Sequence, residues 1–193
     1  MFKVHYVLTS SKPDFHFVAD MKYGIPYDYL LISMTSINIK INDELRQYPP
    51  FTAFYFPKNT PYYYTPACDQ YEDCWIQFTK DSSFDFFLPA SQPIFLKDPD
   101  RVFDILNIIA FENISGDPNS GKVIDNLMKA LFHKLNDSVS TENHSPYSQA
   151  LFQVRQQIYL HPEKTWTLNT ISEQLHISPN YVHVLYKKLF GTT

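Results

Sequence analysis

The chain has 193 residues, a formal net charge of −4 and a sequence pI near 5.9, and 44% of its residues are hydrophobic. This composition excludes a disordered chain and favours one compact domain with a second, smaller one. No apolar run approaches the ~20 residues of a membrane span and the N-terminal run is too short for a signal peptide, so the sequence predicts a cytoplasmic protein without a membrane partner.

Residues 4–78 alternate between apolar and polar positions in short runs rich in β-branched and aromatic residues. This period of two predicts antiparallel strands. In the run SINIKINDELRQY, Ile37, Ile39 and Ile41 share one face. Asn42-Asp43 can take the left-handed conformations that a tight hairpin turn requires. Many short strands at this spacing predict a small barrel or sandwich over residues 1–97.

The period changes after Phe95, where Asp98 is a predicted N-cap and Pro99 the first helical residue. A second helix is predicted from about Lys122. Together they form a helical hairpin over residues 98–137, whose apolar positions are Val102, Ile105, Leu106, Ile109, Val123, Ile124, Leu127, Met128, Leu131, Phe132 and Leu135. The hairpin could bury one stripe on the barrel and leave another for a second copy of the chain. The same residues could instead all be intramolecular core.

Residues 138–149 are polar and contain a proline, so they are predicted to be a linker. Residues 150–193 predict three helices, the second capped by Thr167 and the third by Ser178 with Pro179 at its first position. Two helices separated by a three- or four-residue turn are the plan of a helix-turn-helix unit, whose second helix enters the major groove of DNA.

Charge is divided unevenly along the chain. Residues 1–150 carry 12 Lys and Arg against 18 Asp and Glu, whereas residues 151–193 carry four against two. The basic end suggests that an anionic partner meets the C-terminal helices.

The pattern L-x-x-I-S-x-x-L-x-I-S-x-x-Y-V-x-x-L-Y-K-K-x-F-G-T-T, from Leu168 to Thr193, resembles the first helix-turn-helix of bacterial AraC-type transcriptional regulators. The runs AFYFPKNTPYYYTP and YEDCWIQF resemble central strands of the sugar-binding, cupin-like domain of the same family. The resemblance implies an α+β fold with an N-terminal cupin-like antiparallel β-barrel, a helical hairpin and a three-helix helix-turn-helix unit.

By the resemblance, six residues of the last helix and its cap would contact DNA. The base edges would be contacted by Asn180, His183 and Val184. The phosphates would be contacted by Ser178, Lys187 and Lys188. Asn can bind adenine through two hydrogen bonds and His can donate to guanine, but Val offers only a methyl contact to thymine. The family often has Arg at the position of Val184, so direct readout is expected to be weaker here. Alternatively, the lysines are a solvated helix end favoured by the helix dipole, and His183 is an ordinary surface residue.

Members of the family carry two helix-turn-helix units joined by a long helix, and KKLFGTT is where the first unit runs into that helix. The resemblance therefore implies a chain without the second unit. Such a chain would lose many phosphate contacts and is expected to bind operator DNA weakly.

For the barrel, the resemblance places an aromatic pair, Tyr64 and Trp75, in an effector pocket with Lys22 near a family arginine. Asp73 replaces a polar residue of a different type. Because sugars stack on aromatic rings while their hydroxyls seek polar partners, the predicted effector-binding residues are Lys22, Phe54, Tyr62, Tyr64, Asp73 and Trp75. The alternative is that these rings only fill the core.

A metal-dependent cupin enzyme is the rival from another class. No histidine occurs between His16 and His133, so a His-x-His motif cannot form on the strands, and the cysteines Cys68 and Cys74 are too few to hold zinc. We expect no catalysis, metal or cofactor. The predicted function is a homodimeric, ligand-responsive DNA-binding transcriptional regulator, whose effector is a sugar or another small polar molecule. The alternative is an effector-binding or dimerising protein that does not bind DNA.

Overall fold

The computed structural model describes residues 1–81, 88–139, 147–160 and 162–190, and the chain forms two compact units, Met1–Ser140 and Thr141–Thr193. The first unit is α+β and contains nine strands among its described residues: β1 Phe2–Ser11, β2 Ala19–Met21, β3 Asp28–Ser33, β4 Ile37–Ile41, β5 Glu44–Tyr48, β6 Thr52–Phe56, β7 Tyr62–Pro66, β8 Asp73–Lys80 and β9 Pro93–Phe95. They form two antiparallel sheets, in the orders β1-β8-β3-β6-β9 and β2-β7-β4-β5.

The two sheets pack face to face around an interior rich in aromatic and β-branched side chains. Leu31 of β3 and Phe54 of β6 meet Ile37 and Ile39 of β4 in one buried cluster. Neighbouring inward positions are two residues apart, as the period of a strand requires. The strands are therefore a two-sheet sandwich, and within the described residues no strand belongs to both sheets, as a closed barrel would require.

The β4–β5 hairpin confirms the turn predicted from the sequence. Asn42 and Asp43 have φ values of 50° and 65°, and Ile41 pairs with Glu44 across them. Both central residues are left-handed, as a two-residue hairpin turn of the primed type needs. Ile37, Ile39 and Ile41 are buried as expected.

Two helices, α1 Pro99–Ser115 and α2 Ser120–Val139, cover the other face of the five-stranded sheet. Asp98 is the N-cap of α1, as predicted, since its side chain accepts a hydrogen bond from the Arg101 amide. Leu30 and Ile76 of the sheet share a buried cluster with Phe132 of α2. The sheets and the hairpin thus belong to one compact unit.

The hairpin also carries apolar side chains that its own sheet does not cover. Phe111 and Ile114 of α1 are 67% and 81% exposed, and Ile108 lies on the same side of the helix. Val123 of α2, predicted to be on the apolar face, is 37% exposed because α2 turns Ile124 and Met128 toward the sheet instead.

The second unit has three described helices, α3 Ser148–Leu160, α4 Leu168–Leu175 and α5 Pro179–Phe190. Thr167 caps α4 as predicted: its hydroxyl accepts from the Thr170 amide at 3.1 Å, and the Thr170 hydroxyl accepts from the Thr167 amide at 3.0 Å. α4 ends at Leu175 and its C-cap, His176, is left-handed with φ 53°. The Ser178 hydroxyl then accepts from the Tyr181 amide at the start of α5. Both local caps were readable in the sequence.

α2 continues to Val139 and α3 begins at Ser148, so both run slightly into the range predicted as a linker. Residues 140–146 of that range, and residues 191–193 of the terminal KKLFGTT, lie outside the described residues. Of the helices that the structure describes, none has the length and apolar character needed to cross a membrane.

Candidate effector site and nucleic-acid interface

Stacked tyrosines occupy one part of the interior between the sheets. The ring of Tyr62 lies 5.1 Å from that of Tyr29 and 5.0 Å from that of Phe56, measured between centroids. The hydroxyls of Tyr29 and Tyr64 are 3.4 Å apart. Burial raises the pKa of Tyr29 and Tyr64 well above the ordinary value and that of Tyr62 to about 12, so these rings stay neutral at physiological pH.

Asp73, the first residue of β8, points into the same interior. Its backbone pairs with Ser33, as Trp75 pairs with Leu31, so all four side chains lie on one face of the sheet. Asp73 is only 1% exposed. The Tyr71 hydroxyl donates to its Oδ2 at 2.9 Å, and Oδ1 has no hydrogen-bond partner among the residues that the structure describes.

This burial changes the acidity of Asp73. Loss of hydration raises the pKa of its carboxyl to about 6, the hydroxyls of Tyr71 and Ser11 act in the opposite direction, and the charge of Glu72 adds to the increase. At neutral pH the group is therefore mostly ionised, although desolvation opposes its charge.

An open pocket of about 800 Å³ lies at the other end of β3 from Asp73. Its lining includes Phe56 and Tyr62, which also border the tyrosine stack. Two exposed ion pairs stand at this pocket: Lys22 with Asp20 at 4.0 Å, and Lys40 with Asp43 at 3.0 Å. The pocket thus combines a charged rim with aromatic walls, as small-molecule sites usually do.

The structure divides the six predicted effector residues between these two places. Lys22 and Tyr62 line the open pocket. Phe54, Tyr64 and Asp73 are buried in the interior, and Trp75 is half-buried on the same face as Asp73, with its ring 6.2 Å from that of Tyr29.

Sequence reasoning missed Tyr29 and Tyr71, which complete the hydroxyl network around Asp73. All six residues of β3 are buried, so its run DYLLIS shows no alternation that would single out Tyr29. The spacing does carry some information, because Tyr29 and Leu31 are two residues apart and so lie on the same face of β3. To infer from this that Tyr29 faces Asp73, one must also know the register of β3 on β8, which is a long-range pairing.

The sequence predicts neither a metal site nor catalysis, and the residues that bear on this expectation lie in the same unit. No group of three or more His, Cys, Asp or Glu in the described parts of the chain could hold a metal ion. Cys68 and Cys74 are free thiols, and complete burial raises the pKa of Cys74, which disfavours the reactive thiolate.

In the second unit, α5 separates its buried and exposed sides along the helical period. Val182, Leu185 and Leu189 are buried. The six residues predicted to contact DNA are all exposed: Ser178, Asn180, His183, Val184, Lys187 and Lys188. The two lysines stand in the last turn, and the capped N-terminal turn carries Asn180.

A smaller cavity of about 300 Å³, not predicted from the sequence, lies in the same unit. Its lining is mostly apolar and includes Trp166, Ile171 and Tyr186. His183 of α5 also lines this cavity.

No protein-family profile matches the chain, and the comparison with curated proteins gives no match. Among solved structures, the chain is similar to ToxT from Vibrio cholerae O395, with 10% sequence identity, a TM-score of 0.45, and coverage of 100% of this chain and 75% of that one. It is also similar to the AraC-like transcriptional activator CuxR, with 11% identity, a TM-score of 0.30, and coverage of 88% and 63%. A third similar structure is a cupin domain of an XRE-family regulator from Enterobacter cloacae, with 12% identity, a TM-score of 0.29, and coverage of 37% of this chain and 76% of that one. Identities and scores this low assign no function to the chain.

Proposed function

We propose that this protein is a ligand-responsive, DNA-binding transcriptional regulator. The observation that carries the proposal is the structure of the second unit: a capped α4, a left-handed turn at His176, and a serine-capped α5 whose exposed side carries polar and basic side chains beside Val184. This arrangement fits a helix-turn-helix, and its sequence resembles that of AraC-type regulators.

Each outward residue of α5 has a role suited to its chemistry. Asn180 and His183 can hydrogen-bond base edges in the major groove, and Val184, 58% exposed, can contact a thymine methyl. Lys187 and Lys188 supply phosphate contacts, which position the helix without reading sequence. The described residues provide one such unit, so we expect DNA affinity to be weak and strongly salt-dependent.

The first unit supplies the sensor. Its charged pocket and aromatic interior suit a small polar effector, of which a sugar is the class that the resemblance names. Binding shifts a regulator only if the effector has different affinities for the two conformations of the protein. The open pocket around Lys22 and Tyr62 and the aromatic interior around Asp73 are the two candidate places for such contacts.

We also propose that the hairpin forms a homodimer. Ile108, Phe111 and Ile114 present an exposed apolar stripe on α1. Contiguous exposed apolar surface on a folded protein commonly marks an interaction site. A dimer would bring two reading helices to one DNA site, as operators with two half-sites require.

The test is the salt dependence of binding to a mixed-sequence DNA duplex, measured by fluorescence anisotropy. Lys187→Ala and Lys188→Ala should each weaken binding and lower the slope of log K against log salt by about one. The matched control is Lys164→Ala, which removes the same charge from the same unit outside α5. Equal slopes for all three variants would reject the assigned reading helix.

A second function is an effector-binding or dimerising protein that does not act on DNA. It is favoured by the fact that the pocket and the apolar stripe both lie in the acidic first unit. Retained effector binding and dimerisation in a chain that shows no DNA binding even at low salt would select it.

A further inference from the structure

Asp73 holds an unsatisfied acceptor deep in the sandwich. Its Oδ2 accepts from Tyr71, while Oδ1 has no partner in the described part of the chain, although the residue is 1% exposed. The Ser11 and Tyr64 hydroxyls lie near enough to act on this carboxyl, yet neither hydrogen-bonds Oδ1. A buried acceptor without a donor is costly, and more so when it carries charge.

The groups that face Asp73 do not neutralise it. Tyr29, Tyr64 and Tyr71 are uncharged hydroxyls. The neighbouring Glu72 has the same sign as Asp73, and the exposed Lys12 ammonium pairs with Glu72 at 3.5 Å. Among the described residues no Lys, Arg or His side chain forms an ion pair with Asp73. The surroundings therefore provide aromatic faces and hydroxyls, which attract a cation, but among the described residues no cation is paired with Asp73 itself.

The second buried carboxylate of this unit shows what is missing. Asp28 lies on the opposite face of the same sheet and accepts from the Tyr55 hydroxyl at 2.6 Å, much as Asp73 accepts from Tyr71. There the Lys80 ammonium lies over the Tyr55 ring, 5.3 Å from its centre, although among the described residues it forms no ion pair with Asp28 itself. The carboxylate and tyrosine recur at Asp73 without the ammonium.

Solvent comes close to Asp73 along its own strand. Trp75, the next residue on that face, is half-buried, and Leu8, which pairs with it on the edge strand β1, is 42% exposed. Side chains two residues apart on a strand are about 7 Å from each other, so a ligand of a few heavy atoms beside Trp75 spans the distance.

From these observations we propose that the effector is a small organic amine, whose ammonium pairs with Asp73 Oδ1 among the rings of Tyr29, Tyr64 and Trp75. The inference rests on the proposed function only in naming this ligand as the effector. An ammonium satisfies both the open acceptor and the unbalanced charge, whereas a sugar hydroxyl satisfies only the acceptor.

The test measures, by calorimetry at pH 7.5, how tightly the full chain binds amines and hydroxyl analogues of the same shape. The probe pairs are glucosamine against glucose and 1,4-diaminobutane against 1,4-butanediol. We expect an amine to bind and its analogue to bind at least about tenfold more weakly, which is the scale of a charged hydrogen bond. Asp73→Asn should abolish the preference, and the matched control Asp28→Asn should retain it.

Two further measurements keep the proposal testable if Asp73→Asn fails to fold. In the wild-type chain, amine affinity should fall about tenfold between pH 7.5 and pH 5, as Asp73 becomes protonated. Tyr71→Phe removes the donor to Oδ2 but keeps the carboxylate, and it should retain amine binding. Equal binding within each pair, a flat pH profile, or no binding by either amine overturns the proposal. The effector role is tested separately from the amine site. If an amine binds but does not change the affinity for DNA, the amine is not the effector, whereas the amine site is confirmed.

Discussion

Replacing Asp73 with asparagine tests how far burial perturbs this carboxyl. Its pKa is about 6 in the folded chain against an ordinary value of 3.8. The folded state therefore binds the proton more tightly, so this group favours folding most below pH 3.8, and that contribution is lost as the pH rises through 6. The ionised form lowers the free energy of unfolding by about 3 kcal/mol at pH 7.5 and by about half of that at pH 5.

Asp73→Asn keeps an acceptor for the Tyr71 hydroxyl and cannot ionise. The unpaired amide hydrogens cost about 1 kcal/mol at every pH, so the informative quantity is the change with pH rather than the absolute difference. Between pH 5 and pH 7.5 the wild type should lose about 1.5 kcal/mol relative to the variant. Urea denaturation of both proteins at several pH values measures this change, and other titrating groups cancel in the comparison. Parallel pH profiles would show that Asp73 is not desolvated as the structure implies.

Three other substitutions test the backbone, the caps and the core. Gly24→Ala should destabilise the first unit by about 2 kcal/mol or more, because φ is +67° and the new Cβ would lie 2.5 Å from the Asn59 carbonyl carbon; Gly121→Ala, where nothing lies within 4 Å, is the control and should be neutral or stabilising. Thr167→Ala removes the hydroxyl that accepts from the Thr170 amide, although the backbone amide of residue 167 remains, and it should cost the second unit about 1 kcal/mol by thermal denaturation. Phe132→Ala should cost about 3–5 kcal/mol in urea denaturation, since this fully buried ring packs between α2 and the five-stranded sheet. A loss below 1 kcal/mol for Phe132→Ala, or equal effects of the two glycine substitutions, would contradict the packing described here.

The features predicted correctly from the sequence are those whose causes lie within a few residues. Asn42 and Asp43 make a left-handed turn, Asp98 caps α1 and Thr167 caps α4 because each depends on its own backbone and on neighbours up to three positions away. The alternation of Ile37, Ile39 and Ile41 is likewise set by the period of a strand.

The predictions that needed correction depended on distant partners. Val123 has the spacing of a buried residue but is exposed, since the sheet under α2 accommodates Ile124 and Met128 instead. The choice between a barrel and a sandwich was decided by which strand edges pair, and pairing between distant strands leaves little trace in local composition.

For the candidate sites, the sequence by itself identified the residue types and the two regions that carry them. The exposed face of α5 follows from the helical period, so the six predicted DNA-contacting residues could be named from spacing and resemblance together. The surroundings of Asp73 could not. Tyr29, Ser33 and Asp73 meet only because β8 pairs with β3 in one register, and a slip of one residue would turn Asp73 to the opposite face of the sheet. Local interactions determine helix, strand and cap, whereas the long-range register of the sheet decides which side chains share an interior, and therefore which carboxylate oxygen is left without a donor.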